Sequence, residues 1–194
     1  MLRDIEKTPN YFGQRFMENE DFYFPNSTTL VSFMKALKEN GQKDLIRNPV
    51  WDATAGIGTF SKVLLDLGFE VFSTDTKKLW EGTSEELNFF KDTRKWNGTI
   101  LLAPPFKSTT KYCYAALNHL GSGTILYFAK INLLESKERA RLLKEVPLHS
   151  IWFHSTRQMM IKSSDFLTTY YSTVFYAWFV WKTGFTGDTK LYWI

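Results

Sequence analysis

The stretch from Val50 to Asp75 constrains the fold more than any other part of this sequence. Pro49-Val50-Trp51-Asp52 is a short apolar run that passes through Ala53-Thr54-Ala55-Gly56-Ile57-Gly58 into Phe60, Val63, Leu64 and Leu67, which recur at helical spacing before Gly68. Phe69-Glu70-Val71-Phe72-Ser73 then reads as a second strand ending at Asp75. Strand, helix and strand in this order predict a parallel pair with a right-handed crossover. Such a pair is stable only when both faces are covered, so the remainder of the chain is expected to complete an α/β sheet.

The remainder alternates accordingly. Pro25-Asn26-Ser27 offers helix-start chemistry, and Leu30, Phe33, Met34 and Leu37 follow on one helical face before Gly41. Residues 99–102 and 124–128 read as strands bracketing a helix over residues 108–120; a helix carrying Leu133, Leu134, Ala140 and Leu143 comes next, then a strand at residues 150–153. Residues 173–182 and 190–194 are β-rich, and the turn-forming residues 183–189 between them predict a C-terminal antiparallel hairpin. No repeat or linker divides the chain, and 194 residues suit one domain over 1–194, with 1–47 forming an aromatic segment and a helix packed on it. The expected fold class is α/β, an open and mostly parallel sheet with helices on both faces.

Composition narrows the function classes. A 44% apolar share, with 17% aromatic residues, supplies a packed core. The lone Cys113 excludes an internal disulfide, and His119, His149 and His154 lack metal-ligand spacing, so no metal is expected. Acidic residues within Met1 to Glu6 argue against a signal peptide. The longest apolar run, residues 174–181, is far short of the roughly 20 residues that span a bilayer, so a cytoplasmic protein without membrane contact is expected. The net charge of +4 and pI near 9.0 are compatible with a polyanionic partner, although Lys and Arg are spread along the chain.

Two constellations carry chemistry. Residues 52–58 lie where a strand passes into a helix, the position at which open α/β sheets bind nucleotides, and Asp75 follows 17 residues after Gly58, near the spacing at which a carboxylate accepts from a ribose. An adenosine ribose belongs to NAD and to S-adenosylmethionine alike; Ser61, where the dinucleotide fingerprint has its third glycine, counts against NAD. The second constellation is Ala103-Pro104-Pro105-Phe106. Proline cannot donate to a ladder, so this tetrapeptide marks the carboxyl end of its strand.

Together, Asp-x-x-x-Gly-x-Gly at 52–58, the acidic strand end at Asp75 and Pro104-Pro105-Phe106 resemble the amino-methylating, adenine-specific DNA methyltransferases, particularly their small phage-type members. Phe24-Pro25, the run Leu133 to Arg139, and Tyr176-Ala177-Trp178-Phe179-Val180-Trp181 with Gly184, Gly187 and Trp193 extend the likeness over nearly the whole chain. The resemblance implies a Rossmann-like methyltransferase sheet, S-adenosylmethionine as cofactor and DNA as partner. It implies that Asp52, Ala53, Thr54, Ala55, Gly56 and Gly58, with Phe24 and Pro25, surround the methionine moiety, that Asp75 holds the ribose, and that Asn88 and Phe89 or Asp92 meet the cofactor's adenine. It makes Ala103, Pro104, Pro105 and Phe106 the catalytic tetrapeptide: side-chain and carbonyl acceptors draw protons from a weakly nucleophilic amino group, and the aromatic ring stacks on a flipped base.

The chain departs from the family at two positions. Ala103 stands where an Asn or Asp is expected, and Phe24 where a Thr is usual. Loss of one such polar group corresponds to about 10²–10³ in rate. Three alternatives follow: a substitute among Asn88, Asp92 and Asn132, an acceptor other than adenine, or a protein that binds cofactor or DNA without methylating. Residues 155–170, with Arg157 and Lys162, form a long connection suited to facing an acceptor. Lys137, Arg139, Arg141 and Lys144 read as a solvated helix face, residues 174–181 as core, and the histidines as packing residues.

Overall fold

The computed structural model describes residues 23–162 and 169–194, and of Phe106, Lys162 and Tyr170 the backbone alone. The aromatic segment expected before Tyr23 lies outside the described residues. Strand β1 (Tyr23–Pro25) leads into helix α1 (Ser27–Glu39), whose first turn is capped by the Asn26 side chain accepting from the Thr28 N–H. Leu30, Phe33, Ala36 and Leu37 make its buried stripe. The expected βαβ unit follows as β2 (Val50–Asp52), α2 (Thr59–Asp66) and β3 (Val71–Asp75), and β2 and β3 pair in parallel.

Beyond it come β4 (Glu85–Glu86), β5 (Trp96–Leu102), α3 (Thr109–His119), β6 (Leu120–Lys130), α4 (Lys137–Glu145) and β7 (Ser150–Phe153), then β8 (Met159–Lys162), β9 (Thr169–Tyr171), β10 (Tyr176–Lys182) and β11 (Lys190–Trp193). The main sheet has the order β11-β7-β10-β6-β5-β2-β3-β4. Every pairing in it is parallel except the two made by β10. The α/β class and the mostly parallel sheet are those expected.

Helices cover both faces. One core cluster joins Leu30 and Phe33 of α1 and Phe60 and Leu64 of α2 to Leu101, Phe128, Trp152 and Trp178. The other joins Cys113 and Ala116 of α3 and Leu142 of α4 to Trp51, Ile100, Tyr127 and Phe179. Strand β10 alternates between them, Tyr176, Trp178 and Val180 on one side and Ala177, Phe179 and Trp181 on the other, as a strand buried on both faces must. Phe33 stacks on Trp178 with centroids 4.7 Å apart, and truncating so buried an aromatic costs roughly 3–5 kcal/mol.

Three expectations are corrected. The C-terminal stretches do not form a hairpin: β7 stands between β10 and β11, antiparallel to the first and parallel to the second. Residues 183–189 therefore span the width of a strand, and Tyr192 seats its ring on Trp152 at 3.9 Å. The helix expected to carry Leu133 and Leu134 begins only at Lys137; those two leucines lie in a separate 3₁₀ turn, and Ser136, at φ 112°, breaks the path and caps the helix through Arg139 N. The long connection at 155–170 contains β8 and β9, which build a small antiparallel sheet with β1.

Candidate functional site

Strand order reverses direction at β2, with β3 and β4 following on one side and β5 and β6 on the other. At such a switch point the chains leaving two neighbouring strands diverge to opposite faces and open a crevice at their carboxyl ends. The turn after β2 and the diproline after β5 both leave at this edge. Ala103 N–H donates to the Thr54 hydroxyl at 2.8 Å, and Ala53 N–H donates to the Leu101 carbonyl at 3.0 Å.

The turn is built by its glycines and by the two aspartates. Gly56 (φ 52°) and Gly58 (φ 76°) occupy the left-handed region that disfavours side chains, and Gly58 is the N-cap of α2. Gly56 N–H donates to Asp75 Oδ2 at 2.9 Å, while Asp75 Oδ1 accepts from Thr76 N–H at 2.7 Å. The strand-end carboxylate and the glycine turn are thereby in direct contact. Asp52 is buried, and its Oδ2 accepts from the Ser61 hydroxyl at 2.6 Å, which in turn accepts from Ser73 at 2.8 Å. Burial pushes the Asp52 carboxyl up to about 6, against the pull of its bonds from Ser61 and Thr54. Ser61, which the sequence shows only as a missing glycine, is the residue that solvates this acid.

A cavity of about 10 Å³ lies at the centre, lined by Phe24, Pro25, Asp52, Thr54, Ala55, Thr59, Phe60 and Ala103. Phe24 and Pro25 arrive on β1, whose partner β8 comes from the 155–170 connection. Pro104 is buried and Pro105 exposed; the backbone turns at Phe106–Ser108 into α3. The Phe106 ring, given a stacking role on sequence grounds, lies outside the described side chains, as does the Lys162 side chain.

The other expected residues are not all brought here. Asn88 is exposed, its Oδ1 accepting from Phe90 N–H. Phe89 is buried against Trp51, Tyr112 and His119. Asp92 belongs to the opposite end of the sheet, just before β5 begins, where Arg94 Nη2 lies 2.7 Å from it and His119, the last residue of α3, 3.9 Å from it. Burial raises the Asp92 carboxyl, but the bonds and charge of Arg94 outweigh it and hold it below its usual range. Asn132 is exposed, and its carbonyl accepts from Arg139. None of the three polar candidates for the Ala103 position lines the central cavity.

Thr54, expected only among the residues around the methionine moiety, also joins the two constellations. Two residues went unnoticed in the sequence. Tyr112, near enough to Asp75 that its charge adds to burial in pushing the phenol up to about 12, stacks on Phe89. Trp80 packs against Gly58 and Gly82. Trp80 and Tyr112 are aromatics outside any motif; the glycines around Trp80 were the one available signal.

No family model matches the sequence, and no curated protein does. The structure is similar to solved ones. The modification subunit of a candidate type I restriction enzyme from Vibrio vulnificus YJ016 superposes with a TM-score of 0.61 at 12% identity, over 92% of this chain and 48% of that one. A candidate RNA methyltransferase from Pyrococcus horikoshii gives 0.53 at 11%, over 80% and 84%. Magnesium protoporphyrin IX methyltransferase from Synechocystis PCC 6803, solved with bound SAM, gives 0.51 at 12%, over 79% and 77%. At these identities the likeness is one of fold, the Rossmann-like methyltransferase fold. Among the described residues no helix is long and apolar enough to cross a membrane.

Proposed function

We propose that this protein binds S-adenosylmethionine at the turn 52–58 and transfers its methyl group to an amino nitrogen, with adenine in DNA as the acceptor. The observation that carries the reading is the Thr54–Ala103 bond, which brings the glycine turn and the diproline to one crevice. The residue set suits the cofactor: a carboxylate at Asp75 for the ribose diol, backbone that lacks a Cβ at Gly56 and Gly58, and a second carboxyl, Asp52, lining the cavity beside them. Bound, the cofactor supplies an electrophilic methyl on a sulfonium. The chain's own part is to orient the acceptor nitrogen in line and to accept a hydrogen bond from its amino group, for which the Pro104 carbonyl is the family's position; the proton lost on methylation passes to solvent.

The DNA acceptor is supported by the resemblance of Pro104-Pro105-Phe106 to the adenine-specific enzymes, by the fold shared with a restriction-modification subunit and by the basic pI of 9.0. A second reading, a cofactor-binding protein with little or no transfer activity, is favoured by Ala103, because neither Asn88, Asp92 nor Asn132 lines the cavity beside it. Incubation with labelled S-adenosylmethionine and DNA tests both: methyl-adenine from the wild-type protein supports the enzyme, and binding by calorimetry with methylation appearing only in Ala103→Asn supports the binding protein. Failure to bind the cofactor sinks both.

A further inference from the structure

The glycines of the turn leave two places where a ligand can meet bare backbone, and in this structure aromatic rings of the chain itself occupy both. A Cβ added to Gly56 would stand 2.5 Å from Cε1 and 2.7 Å from Cδ1 of Phe24. A Cβ added to Gly58 would collide with the Trp80 indole, and one added to Gly82 would strike the same indole from elsewhere. Trp80 is thus packed between two glycines, with Lys62 Nζ 5.4 Å from its ring centroid. The cavity left beside Phe24, about 10 Å³, has room for about one water and no more.

Neither ring is carried by the main sheet. Phe24 sits on β1, which pairs with β8 in the small three-stranded sheet. Trp80 sits in the connection from β3 to β4, among the exposed residues Lys77, Lys78, Leu79, Glu81 and Gly82. Either ring can therefore leave its glycine without breaking a hydrogen bond of the main ladder.

We propose that Phe24 and Trp80 are aromatic plugs that cap Gly56 and Gly58 and must swing away to admit a nucleoside cofactor. The inference rests on the cofactor reading above. It gives the glycines a double use: they accept the rings in the closed state and the ligand in the open one. An occluded state lowers apparent affinity by the fraction of molecules that are open, so a protein open one-tenth of the time binds about tenfold more weakly than an unplugged one.

The test measures calorimetric binding of S-adenosylmethionine and S-adenosylhomocysteine to the wild-type protein, to Phe24→Ala, Phe24→Leu and Trp80→Ala, and to the Phe24→Ala/Trp80→Ala pair, together with hydrogen exchange of the amides of residues 55–58 before ligand is added. Circular dichroism and urea midpoints identify any variant that fails to fold, and Phe24→Leu keeps apolar packing if Phe24→Ala does not. Removing either plug is expected to tighten both ligands about tenfold and to speed exchange in the turn. Binding by the wild type that weakens or stays unchanged on trimming, or exchange that does not change, overturns the plugs and leaves the cofactor reading standing. Absence of binding in every protein overturns the cofactor reading and the plugs with it.

Discussion

The Thr54 hydroxyl accepts the backbone N–H of Ala103 at 2.8 Å, across 49 positions of sequence. This bond joins the turn after β2 to the end of β5, so the cradle and the diproline edge are one structural unit. Thr54→Val keeps the shape but removes the acceptor, leaving a partly buried N–H without it. The expected cost is about 1–3 kcal/mol in urea denaturation, with Thr54→Ser recovering most of it. Equal stability of the valine variant and the wild type would show that the bond does not hold the two segments.

Asp75 accepts from the Gly56 amide and is the carboxylate proposed to hold the cofactor's ribose. Asp75→Asn retains an acceptor but loses the charge, and hydrogen bonds to charged groups contribute about 1.5–3 kcal/mol. Cofactor affinity is expected to fall by about 10–100-fold in calorimetry. An unaltered dissociation constant would place the ribose elsewhere.

Two buried groups act on stability in opposite directions over one pH range. Burial raises Asp52 from 3.8 to about 6, so the fold favours its neutral form; that contribution is complete below the ordinary value and is lost as pH rises through about 6. Burial lowers His154 from 6.5 to about 4, so its contribution is complete above 6.5 and is lost as pH falls through about 4. At 1.36 kcal/mol per pKa unit each amounts to roughly 3 kcal/mol. Relative to the wild type, Asp52→Asn should gain stability as pH rises from 4 to 7, and His154→Phe should gain it as pH falls from 6.5 to 4. Denaturation midpoints across that range check both, and parallel curves for variant and wild type count against the assigned burial.

Ala103→Asn restores the polar side chain that the amino-methylating family carries. If adenine is the acceptor, transfer to DNA should rise by about 10²–10³, the scale of one lost catalytic hydrogen-bonding group. The gain is expected to be larger in combination with Phe24→Ala, because both residues line the same 10 Å³ cavity. A single-turnover assay with labelled cofactor reads the change, and absence of methyl-adenine from the wild type and from both variants removes adenine as the acceptor.

At the far edge of the sheet, Tyr192 stacks on Trp152 at 3.9 Å with rings 9° from parallel. Tyr192→Ala should cost about 1–3 kcal/mol and be rescued by Tyr192→Phe, since the ring and not the hydroxyl makes the contact. A cost of zero would mean that β11 does not depend on β7.

Much of this was legible in the sequence because it is local. Helical spacing at Leu30, Phe33 and Leu37, the alternation of strands and helices, and Asp75 at a strand end all depend on neighbours a few residues apart. Ser136 and the extra strands β8 and β9 escaped because short elements with no sustained period leave little trace. At position 61 the sequence shows only that a fingerprint glycine is missing, whereas the structure adds that the serine hydroxyl there meets buried Asp52.

The sequence by itself determined the α/β class, the βαβ unit and the chemical character of the two loops, since periodicity and turn residues follow from local backbone sterics. Only the tertiary structure decided which strands became neighbours: β10 between β6 and β7, β1 against β8, β2 beside β5. It also decided that Phe24 and Trp80 cap the glycines while Asp92 pairs with Arg94 at the other end of the sheet. Those outcomes depend on packing between residues distant along the chain, and packing of that kind is chosen by shape and burial rather than by any repeating pattern.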